Sequence, residues 1–275
     1  MRRLMILGAC LGVTFLLALA LPPTAVSQTP VETPTAASPA TGTNPEGAAK
    51  SSAALPTVKE ILEKSEKATG GEAAWQKMTT RSMKGIYQTQ DDSSFFGIEI
   101  LQKAPNKSVY LYKFPNDIVV RDVCDGKSAW LEDPRGGYHA YAGAALASRL
   151  KQSEFSDRAK ILLLEATGKL LGTEKVGAHT VYVIEFSPDK DETSKVFFDT
   201  ESGLEVRNED TYATPDGPYK VAIDMEDYRD VDGVKLPFRL RRTEKGAVFN
   251  IRLTQVKFNS PVDETEFVKP ESASN

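Results

Sequence analysis

DYRDVDGVKLPF, residues 227–238, decides how the rest of the chain is read. Three aspartates surround one glycine, just ahead of an apolar run. A calcium loop of the EF-hand type needs oxygen ligands at positions 1, 3 and 5, glycine at 6 and glutamate at 12. With Gly233 at position 6, Asp232 and Asp230 fit, but Tyr228 and Arg239 fall at positions 1 and 12. Two ligating positions fail, and one brings a positive charge. As a catalytic pair, Asp230 and Asp232 lack the burial that would raise a carboxyl pKa. Asp-Gly between two alternating runs is instead a hairpin tip. The stretch therefore predicts two antiparallel strands, with Val234, Leu236 and Phe238 on one apolar face and Pro237 marking a bulge or an edge.

The same grammar extends outward. TRSMKGIYQTQ, FFGIEILQK, KSVYLYKF, DIVVRDV and KSAWLED read as five strands before residue 134. HTVYVIEF, KVFFD, LEVRNEDTY, YKVAIDMEDY, VKLPFRLRR and AVFNIRLTQVKF read as six more after residue 178. The apolar parity of the last one flips between Leu253 and Val256, which predicts a bulge near Thr254–Gln255. TVKE at 57–60 is a capping box opening a helix that Gly70 and Gly71 end, and EAAWQKM is a further short helix. AALASRLKQ and DRAKILLLEA predict two helices in mid-chain. About eleven strands exceed what a flat sheet usually holds. The expected fold is α+β: a strongly curved antiparallel sheet, an incomplete barrel, with the N-terminal and mid-chain helices over its concave face.

The N-terminus reads as an address. MRR precedes an apolar run of 18 residues, Pro22 and Pro23 break it, and AVS at 25–27 suits cleavage after Ser27. An uncleaved inner-membrane anchor is the alternative. Cys10 in LGAC sits too early in the apolar run for lipidation, so it reads as an ordinary signal-peptide cysteine. Residues 28–56 are rich in Pro, Thr, Ala and Ser and form a disordered spacer. One domain spans 57–270, and 271–275 is a tail. The formal net charge of −4 falls to about −6 once Arg2 and Arg3 are removed. That balance argues against a nucleic-acid partner. The group Arg239, Arg241 and Arg242 reads as a solvated strand face. Cys124, in VVRDVC, reads as a small buried hydrophobe.

Catalytic signatures are missing. His139 and His179 are the only histidines, and neither lies in HExxH or a zinc-like spacing. There is no GxSxG elbow and no glycine-rich phosphate loop. No catalytic residue, metal ligand or cofactor is expected. Apolar strand residues are abundant instead, and one buried methylene contributes ~0.8 kcal/mol, enough for a few acyl chains to bind by area alone.

LEKSEKATGGEAAWQKM, FFDTESGLEVR, DYRDVDGVKLPFRLRR and NSPVDETEFVKP together resemble the periplasmic lipoprotein-carrier (LolA/LolB-like) superfamily, and most closely its outer-membrane lipoprotein-sorting-protein branch. The resemblance covers nearly all of 57–270. It implies a half-barrel with a lidded hydrophobic cavity, a periplasmic setting, and lipid or lipoprotein acyl chains as cargo. It further implies contact with envelope or outer-membrane proteins. The expected lining is Ile98, Ile100, Leu111, Trp130, Val221, Ile223, Met225, Phe249, Ile251 and Leu253. The rival readings are an envelope sensor or interaction module on the same fold and, last, a hydrolase built on stray carboxylates and the two histidines.

Overall fold

The structure, a computed structural model, describes residues 55–90, 95–156, 158–189, 192–212 and 219–269. The expected signal peptide, nearly all of the spacer and the tail lie outside the described residues, as do Asp91, Asp92 and Asp191.

The described residues begin with helices α1 (Val58–Ala68) and α2 (Glu72–Trp75). Six strands follow: β1 (Thr80–Thr89), β2 (Phe95–Lys103), β3 (Lys107–Lys113), β4 (Val119–Cys124), β5 (Ala129–Asp133) and β6 (Gly137–Ala140). Helices α3 (Gly143–Gln152) and α4 (Arg158–Thr167) interrupt them. Strands β7 (Lys169–Val176), β8 (His179–Asp189), β9 (Glu192–Asp199) and β10 (Glu205–Tyr212) then lead to three long ones. These are β11 (Tyr219–Val231), β12 (Val234–Glu244) and β13 (Ala247–Phe258), ahead of a 3₁₀ turn at Glu264–Phe267.

All thirteen strands join one antiparallel sheet in the order β6-β5-β4-β3-β2-β1-β13-β12-β11-β10-β9-β8-β7. Two meanders meet where β1 pairs with β13. The expected incomplete barrel of about eleven strands is corrected on both counts. The sheet has thirteen strands, it is neither closed nor strongly curved, and β6 and β7 are its two ends. Open sheets of this width form when nothing draws the edges together. Here one edge strand has only four residues, and the other carries Lys169, Glu174 and Lys175. These two edges are also the strands that the pattern of apolar residues does not announce. An edge strand packs on fewer neighbours, so its sequence alternates weakly.

Local chemistry explains the elements. Thr57 Oγ1 accepts from the Glu60 amide at 3.2 Å, and Glu60 Oε2 accepts from the Thr57 amide at 2.8 Å, which closes the capping box. At the tip of the β11–β12 hairpin, Asp232 and Gly233 have φ of +54° and +84°, the left-handed pair that a two-residue turn requires. The Asp230 carboxylate accepts from the Gly233 amide at 3.0 Å. These aspartates fold the turn. Pro237 lies in a central strand rather than at an edge, opposite Tyr228 and close to Asp227, whose φ is +54°. The β1–β13 register slips between Lys84 and Gly85, opposite Leu253 and Gln255, where the parity flip predicts a bulge.

The end of α1 is set against the β11–β12 tip. The Lys235 amide donates to the Thr69 carbonyl at 3.1 Å. A Cβ at Gly70 would stand 2.2 Å from the Gly233 carbonyl oxygen, and the φ of Gly70 is +114°. Only glycine meets both conditions. Half a helix earlier, Lys64 donates through Nζ to the Thr200 carbonyl at 2.7 Å, in the β9–β10 turn.

Replacing Gly70 with Ala adds strain and a clash, whereas Gly71 has a positive φ but open space around it. Gly70→Ala is expected to lose at least ~1 kcal/mol more than Gly71→Ala in urea denaturation. Equal losses would remove the close approach as a determinant of the fold.

Candidate functional site

Strand alternation and register give the sheet two chemically different faces. One is followed continuously from Ile184 and Phe186 on β8, through Val196 and Phe198 on β9, to Val221, Ile223 and Met225 on β11. It continues through Leu240 and Arg242 on β12, and Phe249, Ile251 and Leu253 on β13. It ends with Met83 and Tyr87 on β1, Ile98 and Ile100 on β2, Tyr110 and Tyr112 on β3, and Val120, Asp122 and Cys124 on β4.

Helices flank this face at both ends. On β8 and β9, Ile61 and Leu62 of α1 and Ile161 and Leu164 of α4 pack with Ile184, Phe186, Val196 and Phe198. Toward the other end, α3 is anchored by a buried ion pair. Arg149 Nε donates to Asp122 Oδ1 at 2.7 Å, and Arg149 Nη2 donates to the Ser108 hydroxyl at 3.0 Å. The Tyr141 hydroxyl donates to Asp122 Oδ2 at 3.1 Å, and the guanidinium lies 4.7 Å from the centre of the Tyr110 ring. Burial raises the Asp122 carboxyl above the usual range, and Arg149 and Tyr141 hold it back. Burial works against the Arg149 charge, but Asp122, Tyr110 and Cys124 together outweigh it and strengthen the guanidinium's hold on its proton.

Eight of the ten expected lining residues share this face: Ile98, Ile100, Val221, Ile223, Met225, Phe249, Ile251 and Leu253. Leu111 and Trp130 do not. They lie on the opposite face, in a separate cluster with Val109, Val123 and Phe267. The C-terminal turn packs there, and Glu264 is held by Lys103 and, at 2.8 Å, by Lys107. Those two lysines pull the Glu264 carboxyl down to about 2. Arg242 also departs from expectation. It shares strand β12 with Arg239 and Arg241, but its parity places it on the apolar face, 1% exposed and bonded to Glu244 at 2.6 Å.

Sequence reasoning overlooked an aromatic group at one end of this face. Tyr87 stacks on Phe96 with centroids 4.7 Å apart, and Phe249 and Phe114 approach that pair to 5.3 and 4.8 Å. Phe96, Phe114 and Phe249 are half-buried. The aromatic density of FF at 95–96 and YLYKF at 110–114 was the available signal. Cys124 is fully buried and reduced. Among the described residues, no group of three or more His, Cys, Asp or Glu side chains could hold a metal ion.

No protein-family profile matches the sequence, and no curated protein does so. Solved structures do match. A LolA superfamily protein from Nitrosomonas europaea superposes with a TM-score of 0.52 at 14% identity, over 78% of this chain and 99% of the other. The chain has the LolA-superfamily fold. A domain from Vibrio parahaemolyticus, assigned as an outer membrane lipoprotein-sorting protein, gives 0.51 at 15% identity over 77% and 97% of the two chains. A DUF1329 family protein from Desulfovibrio piger gives 0.54 at 13% identity, over 78% and 98%. At these identities the likeness is one of fold.

Asp122→Ala strands the Arg149 charge in an apolar setting and should cost ~3–5 kcal/mol in urea denaturation. The double change Asp122→Leu/Arg149→Met should recover most of that loss. A single-variant cost below ~1 kcal/mol would show that the pair does not hold α3. The depressed Glu264 carboxyl gives a pH dependence of definite sign. Its contribution is full above its ordinary value of 4.5 and is lost as pH falls toward about 2. Trp130 fluorescence in a Trp75→Phe background should report release of the turn in that window. Lys103→Gln/Lys107→Gln should move the release upward, toward pH 4.5. An unmoved profile would mean that the lysines do not hold the carboxylate.

Proposed function

We propose that the protein is an exported, periplasmic carrier of acyl-chain cargo, a lipid or a lipoprotein, and that the helix-flanked face of the sheet holds the chains. One observation carries this reading. The central strands present a continuous row of apolar side chains that ends in an aromatic group, the buried Tyr87 with the half-buried Phe96, Phe114 and Phe249. Such an aromatic end admits an apolar chain from water, and the aliphatic row beyond it offers area without directional demands. Each methylene transferred contributes ~0.8 kcal/mol. The shared fold and the lipoprotein-sorting assignment of the Vibrio domain support the cargo class. The N-terminal address supports export, and the spacer would give the domain reach from the membrane. No reaction is part of this reading.

Native mass spectrometry of protein purified from membrane-containing extracts should detect co-purifying lipid or lipoprotein. A fluorescent fatty acid should bind the emptied protein saturably. Phe249→Glu should weaken that binding roughly ten-fold or more, since it places a carboxylate in the path of the chain. A protein that purifies empty and binds no hydrophobic probe would overturn the proposal.

A further inference from the structure

The other face of the same strands is wet, and it carries a feature that the carrier reading does not use. Register places Ile86, Arg252, Arg239 and Glu226 in one row across β1, β13, β12 and β11. The next row is Gln88, Asn250, Arg241 and Asp224. A pocket of about 310 Å³ opens over them, with Arg239, Arg241, Arg252, Gln88, Asn250 and Ile86 among its lining. That is the lower end of the range for small-ligand sites.

The charges in this pocket do not balance. Arg239 is paired with Glu226 at 2.7 Å. Asp224 is occupied by Arg207 at 2.6 Å, on the next strand. Among the described residues, Arg241 and Arg252 have no acidic partner within ion-pair distance. Arg239 and Arg252 stand directly opposite each other across β12 and β13. Like charges in that position destabilise a sheet. The excess is notable in a chain with 38 acidic and 34 basic side chains. Alternate-residue spacing on two neighbouring strands turns three guanidiniums toward one volume, beside the amide donors of Gln88 and Asn250.

The geometry points to a site for a phosphate-class oxyanion: a phosphate mono- or diester, free or as a lipid headgroup. Guanidinium forks match phosphate oxygens in bidentate fashion. A monoester carries about −1.5 to −2 charges at pH 7, which suits three arginines set against one glutamate. A carboxylate of a peptide would leave part of that charge unanswered. The site lies on the face opposite the proposed acyl-chain surface, so it stands or falls separately from that reading.

The test uses the full chain and Arg241→Gln/Arg252→Gln, with circular dichroism to confirm folding. Calorimetric titration with inorganic phosphate at low ionic strength should show saturable binding that the double variant weakens at least roughly ten-fold. Glu226→Gln should act in the opposite direction and tighten binding, because it releases Arg239. A parallel arm measures co-sedimentation with phosphatidic acid vesicles against phosphatidylcholine vesicles. Selective retention that the double variant loses assigns the oxyanion to a lipid headgroup. Phosphate binding without vesicle retention assigns it to a soluble phosphate ester. Three results would overturn the site: no saturable phosphate binding with no selective vesicle retention, binding unchanged in the double variant, or retention on polyglutamate without phosphate binding.

Discussion

The fold depends on one close approach, that of the α1 C-terminus to the tip of the β11–β12 hairpin. Gly70 lies so near the Gly233 carbonyl that no side chain fits, and the Lys235 amide closes the contact on Thr69. Lys64 fixes the same helix to the β9–β10 turn through the Thr200 carbonyl. Once α1 is held at these two tips, its apolar stripe can only face β8 and β9, where α4 joins it. ATGG meets DYRDVDGVKLPF in the first of these contacts, and Lys64 meets FFDTESGLEVR in the second. NSPVDETEFVKP does the same work for the C-terminal turn against Trp130. Strands tolerate many apolar sequences, but a backbone-to-backbone contact tolerates few.

Most of the elements were legible because turn chemistry is local. Asp-Gly at 232–233, the Thr57 capping box and the two mid-chain helices all form from neighbours in sequence. The slip opposite Thr254 was legible as a change of parity. What could not be read is what lies far apart in the chain. The sheet's openness is decided by whether β6 and β7 meet, and the 28 residues between Ala140 and Lys169 do not encode that in any pattern. The strand count fell short at the same two edges, where weak alternation hides a strand. Parity had to be carried across register as well as along one strand. That is why Leu111 and Trp130 were grouped with residues on the far side of the sheet, and why Arg242 was grouped with Arg239 and Arg241. Asp122 was visible in principle, as an acid on the buried parity of VVRDVC. Its partner is 27 residues away.

The two faces divide the protein's chemistry. On the helix side, the buried charges are matched: Arg149 with Asp122, Arg242 with Glu244, and Arg81 with Gln102 at 2.9 Å, while the Asn208 Oδ1 on β10 is buried without a hydrogen-bond partner. Each of these pairs spans strands or joins a helix to the sheet, or ties neighbouring positions on one strand. An unmatched partner there would be costly, so the pairs restrict which arrangements of helix and sheet are allowed. The apolar side chains between them impose far weaker geometric demands. Specific placement and permissive area thus coexist on one surface. On the opposite side, Val109, Val123, Trp130 and Phe267 are buried at one end and Val181, Val183, Phe197 and Val206 at the other, but on the central strands the charges are exposed and individually worth little to stability. Composition on that side is free to answer to what approaches from solvent.

The unclosed sheet has a further consequence. A ladder that stops at β6 and β7 leaves two rows of backbone donors and acceptors, and in principle the last strand of one molecule could continue into the first strand of the next, giving an indefinite ribbon. Growth of that kind needs length, flatness and apolar side chains. The four-residue β6 offers too short a template, and β7 sets Lys169, Glu174 and Lys175 along its length, with Gly172 at a break in its register. Such margins are poor polymerisation sites, and a substitution that lengthened β6 or removed the β7 charges would favour edge-to-edge pairing before it endangered the fold.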